Sequence, residues 1–185
     1  PEAAVDFRLN LPDIGALVDK VNGPLSVAGS ARRAGSGWQI DTEAQGPAGT
    51  QASIAGTVAE DGTLDLDISG NAPLGLSRPF LAPRDLQGQA RFDLSVNGPP
   101  ALSSVSGRIS TSGATFTAPN LRVALRGIDA QIDLGGNRAQ IALSGQAVDG
   151  GQLRVDGAVT LTPALPADLA VRLRGLVFAD PSLYS

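Results

Sequence analysis

The side chains best placed to do chemistry in this 185-residue chain are carboxylates, because it holds neither histidine nor cysteine. Asp65 and Asp67 share one face of a strand pattern, as do Asp129 and Asp133 two positions further apart. Paired carboxylates can act as acid and base in glycoside hydrolysis. Here they occupy the polar half of an alternating pattern, which reads as a solvated face. The Asp61 to Asp67 run lacks the ligand order of a calcium loop, and Gly150-Gly151 with Asp156 does not recur at the nine-residue period of calcium-binding β-helices. Zinc sites built on imidazole or thiolate are excluded, and so are histidine triads and cysteine nucleophiles. The serines and threonines have no histidine or nearby lysine to activate them. Trp38 could stack a sugar, but a lone tryptophan on an apolar strand face lines a core or a groove. The residues therefore supply no catalytic group, no metal site and no cofactor site, and the chain reads as a binding or conduit module rather than an enzyme.

The net charge is −4, spread without runs, whereas nucleic-acid binding calls for a basic stripe. No stretch approaches the ~20 apolar residues of a spanning helix. The chain starts at Pro1 and contains no methionine, which leads us to expect a piece of a longer protein. Cysteine absence suits a periplasmic location.

Period-2 alternation dominates the chain and is the mark of strands with one apolar face. Val5, Phe7, Leu9 and Leu11 alternate with Asp6, Arg8 and Asn10; Leu64, Leu66 and Ile68 alternate with Asp65 and Asp67. In all, about a dozen strands are expected, joined by turns such as Asp61-Gly62 and Gly136-Asn137. Leu121 to Leu125 and Ile128 to Leu134 read as separate strands. Asp13 to Val21 reads as an amphipathic helix capped by Asp13, and Leu74 to Leu81 as a short helix or lid broken by Pro73, Pro79 and Pro83. Ile40, Gly49, Ile54, Gly56 and Val58 repeat as Ile141, Gly150, Val155, Gly157 and Val159, and Leu64 to Gly70 then match Leu169 to Gly175 after a four-residue slip. Glycine recurs inside strands, at Gly29, Gly56, Gly88, Gly107, Gly145, Gly157 and Gly175, which suggests strong curvature.

The fold class expected is all-β: one elongated, strongly curved antiparallel or mixed sheet forming a trough with an apolar interior. The alternative is a closed β-sandwich or barrel. The chain is read as one β-rich segment over 1–185, or two similar halves at about 1–98 and 99–185. Aromatics make up only 4% of the residues, so the apolar face is a smooth aliphatic lining that would fill a dry core or accommodate acyl chains. The expected groove lining is Ile54, Val58, Leu64, Leu66, Ile68, Phe92, Leu94, Val96, Ile109, Ile132, Ile141, Leu143, Leu153, Val155, Val159, Leu169, Val171 and Leu173.

The run from Gly107 to Ile128 (GRISTSGATFTAPNLRVALRGI), the Gly150-Gly151 turn followed by Gly157 and Pro163, and the closing Ala179-Asp-Pro-Ser-Leu-Tyr184 resemble stretches of the TamB family. These are the inner-membrane subunits of the bacterial translocation and assembly module, grouped with the AsmA-like proteins. The resemblance is best over 100–185. It implies a parent anchored in the inner membrane and crossing the periplasm, with a long sheet curled like a taco. It further implies roles in outer-membrane protein assembly with a BamA-like partner, TamA, in protein secretion and in phospholipid transport. The cargo would be lipid acyl chains or unfolded outer-membrane protein. TamA would bind through regions outside this chain, and no catalytic residue carries over. A structural or adhesive all-β module with a closed core is the other class kept open. Open sheet ends predict end-to-end self-association, and a dozen strands in single file would extend about 55 Å.

Overall fold

A computed structural model describes residues 3–16, 20–162 and 166–175. Twelve strands form one sheet: β1 (Ala4–Leu11), β2 (Leu25–Ala34), β3 (Gly37–Gln45), β4 (Gln51–Ala59), β5 (Leu64–Pro73), β6 (Asp85–Gln87), β7 (Gln89–Gly98), β8 (Val105–Ala118), β9 (Val123–Gly135), β10 (Arg138–Ala147), β11 (Gln152–Thr160) and β12 (Ala167–Arg174). Eleven of them lie in single file in chain order, and β6 stands off this path on β8. Every pairing is antiparallel. The sheet is not closed: β1 and β12 are its two ends. It is neither mixed, nor a sandwich, nor a barrel. Eleven strands leave ten gaps, so the file is about 48 Å long, shorter than a dozen would give.

Local chemistry explains the meander. Gly136 and Asn137 both take positive φ, 55° and 62°, the backbone of a tight two-residue hairpin. The Asp61 carboxylate accepts from the Thr63 amide at 2.9 Å and pins the β4–β5 turn. Curvature has a steric signature at Gly56. A Cβ there would lie 2.1 Å from the Asp65 carbonyl oxygen on β5, and its φ is +143°. The neighbouring strand therefore rises toward the apolar face where a side chain would stand, and only glycine permits this approach. Gly157 meets the Asp168 carbonyl on β12 at the same 2.1 Å.

That correspondence corrects the repeat. Gly56 lies between Ile40 and Leu66, and Gly157 between Ile141 and Leu169. Leu66, not Leu64, is the structural counterpart of Leu169, so the slip is two residues rather than four.

Three local expectations also change. Asp13 ties a turn, not an α-helix: one carboxylate oxygen accepts from Gly15 N at 2.9 Å and Gly23 N at 3.0 Å. Of the described residues in this stretch, Ile14–Ala16 form a 3-10 turn, and residues 17–19, including Leu17 and Val18, lie outside the described residues. The two strands expected around Val123 and Ile128 are one bent strand, β9, with Leu121 in a preceding 3-10 turn. Leu74 to Leu81 is a 3-10 turn followed by a four-residue helix, α1 (Arg78–Leu81). It leads into β6, which pairs with Thr115 to Thr117 of β8, beyond the point where β7 begins.

The chain exposes 11904 Å², against about 8,300 Å² for a compact monomer of its 18.7 kDa mass. Dilute small-angle scattering is therefore expected to give a radius of gyration clearly above the ~16 Å of a compact 185-residue globule. A value at or below that figure would contradict the extended file.

Candidate functional site: the apolar trough

Residues directly opposite in an antiparallel pair point to the same face, so the register builds the site strand by strand. One row runs Leu9, Val27, Ala44, Ala52, Gly70, Phe92, Ile109, Ile132, Ile141, Gly157, Leu169 and crosses all eleven strands of the file. Only alanine and glycine interrupt its large aliphatic and aromatic members. A second row carries Phe7, Gly29, Thr42, Ile54, Ile68, Leu94, Gly107, Leu134, Ala139, Val159 and Ala167. Toward one rim lie Ile40, Gly56, Leu66, Val96 and Val105, then Trp38, Val58 and Leu64. Toward the other lie Ala130, Leu143, Val155 and Val171, then Leu153 beside Leu173. All eighteen residues expected to line the groove share this one face.

Burial along the face is partial. Most of its aliphatic side chains are half-buried, and among the described residues no large side chain is fully buried. Exposure rises at the two ends, where strands have a neighbour on one side only: Phe7 is 38% and Leu9 49% exposed on β1, Leu169 44% and Val171 58% on β12. A packed interior would bury such side chains almost completely.

Polar intrusions are few and already satisfied. Thr42 is 6% exposed, and no buried side-chain polar atom among the described residues lacks a partner. The Thr111 hydroxyl donates to the Gln89 carbonyl at 2.7 Å. At one rim the Trp38 ring lies 5.8 Å from the Arg33 guanidinium, which also pairs with Glu60.

Among the described residues there is one dry cluster, and sequence reading missed it. Ala114 (0% exposed), Leu125 (9%) and Ile128 (4%) pack together, with Leu74, Phe116 and Leu143 against them. The β8–β9 register shifts here, between Thr111 and Ala114 and again before Phe116. These bulges re-aim the side chains. The signal in the sequence was Leu125 and Ile128, apolar but three apart around Gly127, which breaks the period of two.

The opposite face holds the carboxylates. Asp129 Oδ1 accepts from the Ser112 hydroxyl at 2.6 Å and from Gly113 N at 3.1 Å, and so staples the bulge. Those hydrogen bonds hold its carboxyl below the usual range. Asp133 accepts from Gln131 at 2.6 Å and pairs with Arg108 at 2.7 Å, and both depress its pKa. Asp67 accepts from the Ser95 hydroxyl at 2.8 Å. Asp67, Asp129 and Asp133 of the candidate acid–base pairs are thus bound to neighbouring strands as structural staples. No group of three or more acidic residues placed to hold a metal occurs among the described residues.

No helix among the described residues is long and apolar enough to cross a membrane. Comparison with protein-family models, with curated proteins and with solved structures finds no match.

Proposed function

We propose that this chain is a conduit segment of a cell-envelope protein, whose apolar trough shields acyl chains, or extended outer-membrane protein strands, from water. The observation that carries this reading is the single apolar face shared by all eleven strands of the file, only partly buried along its length, in a sheet that is not closed. A hydrocarbon chain needs no hydrogen bonds from its container, and this lining offers almost none. Burial of apolar ligand surface would supply the affinity, at roughly 25 cal/mol per Å². The resemblance to TamB proteins extends the proposal: a periplasmic segment of an inner-membrane-anchored parent that works with a TamA-like partner in outer-membrane biogenesis and secretion.

Leu66 is the residue to test, because it lies on the apolar face clear of the dry cluster, whereas Leu143 packs against that cluster. Leu66→Arg is expected to weaken a fluorescent fatty-acid probe at least tenfold while the far-UV spectrum stays that of the parent. Its long side chain can carry the charge out of an open trough. Loss of the sheet in this variant, or unchanged probe binding, would favour a structural module with a closed core.

A further inference from the structure

We infer that Arg33 and Glu60 form a headgroup receptor at the rim of the trough, for an amphiphile that carries both a phosphate and an ammonium group. The inference rests on the conduit reading and names the polar end of its ligand. A break in pattern carries it. Among the described residues paired in the eleven strands of the file, Arg33 is the one charged side chain on the apolar face. Along β2 it follows Leu25, Val27, Gly29 and Ala31 at the period of two, where an apolar residue would continue the lining. Departures from a sequence's own local rule are expected at functional or strained sites.

The register places this charge at the end of the face where β2 turns into β3. Arg33 stands opposite Trp38, Trp38 opposite Val58, and Val58 opposite Leu64. The guanidinium lies 5.8 Å from the Trp38 ring centroid, within cation–π reach. It continues across β3 to the Glu60 carboxylate, in the turn between β4 and β5. The ion pair thus straddles the indole at the mouth of the trough. Both partners keep contact with water, their side chains being 37% and 57% exposed. An exposed pair of this kind adds little stability, so stability does not account for a charge on this face.

The chemistry of the pair selects the headgroup. A guanidinium offers phosphate two parallel N–H donors, and an ammonium group can donate to the Glu60 carboxylate. A headgroup that brings both charges exchanges one ion pair for two and leaves no charge unmatched. A purely anionic headgroup would draw Arg33 away from Glu60 and set two negative charges side by side, which disfavours that partner. With the phosphate and ammonium held at the rim, the acyl chains lie on the lining that starts at Trp38, Val58 and Leu64.

Trp38 is the only tryptophan of the chain, so its emission reports binding at this rim. The parent protein is expected to bind monomeric dihexanoyl phosphatidylethanolamine about fivefold or more tighter than monomeric dihexanoyl phosphatidylglycerol. Glu60→Gln should reverse that order, because Arg33 is then free for an anion and the ammonium has lost its acceptor. Arg33→Gln should weaken both lipids about fivefold or more and leave an uncharged pyrene-labelled alkane bound as before. Far-UV circular dichroism checks that both variants keep the sheet. Equal lipid affinities in the parent, no lipid binding while the alkane binds, or an order unchanged by Glu60→Gln would each overturn the inference. So would an equal response to free phosphoethanolamine, which would make this a site for a soluble amino phosphate. Failure of the alkane to bind the folded parent is the separate result that removes the conduit reading.

Discussion

Gly56→Val is expected to leave no cooperatively folded sheet, and Gly56→Ala to lose at least about 3 kcal/mol of stability. The first added carbon meets the Asp65 carbonyl oxygen at 2.1 Å and Leu66 Cα at 2.9 Å, in a backbone with φ of +143°. Relief by movement is blocked, because β4 is hydrogen-bonded to β3 on one side and β5 on the other. Gly62 is the control: its φ is +83°, but nothing lies within 4 Å of an added Cβ. Gly62→Asn, a residue that tolerates positive φ, should cost under about 1 kcal/mol. Urea unfolding followed by far-UV circular dichroism separates the two. A Gly56→Ala protein as stable as the parent would remove the steric explanation of the curl.

The second large effect is a contrast between two arginines. Ile128 is 4% exposed and packs on Ala114 and Leu125, so Ile128→Arg buries a guanidinium with no partner. The cost expected is about 3–5 kcal/mol, which for a chain of this size lowers Tm by roughly 10 °C or more. Leu66→Arg, on the partly buried face, should cost under about 1.5 kcal/mol because its charge can reach water. Differential scanning calorimetry of both variants decides the matter. Equal destabilisation would mean that Leu66 lies in a closed interior after all.

Most of the sheet was legible because its strands are amphipathic: Leu64, Leu66 and Ile68 against Asp65 and Asp67 leave one choice of face and hence one register. Turn positions were legible where the residue type dictates backbone geometry, as at Gly136-Asn137 and Asp61-Gly62. The dry cluster was hidden because a bulge shifts the period by one residue, so Leu125 and Ile128 were assigned to different strands. Asp13 looked like a helix cap since the same carboxylate chemistry caps a helix or closes a loop. Here the loop won, and Gly23, ten residues away, supplied the second amide. The repeat offset failed for a similar reason: alternation matches itself at every second residue, and only the pairing of Gly56 with Leu66 and of Gly157 with Leu169 fixes the alignment.

Trp38 offers the most direct test of an apolar face open to ligand. It is the only tryptophan in the chain and stands opposite Val58 on that face, so its emission reports on one place in the trough. Titration with a spin-labelled stearic acid is expected to quench Trp38 saturably, at concentrations far below those that quench free tryptophan by collision. Leu66→Arg should remove the saturable phase without changing the starting spectrum. Quenching that rises linearly and matches free tryptophan, in a protein shown to be folded, would contradict the proposed acyl-chain trough.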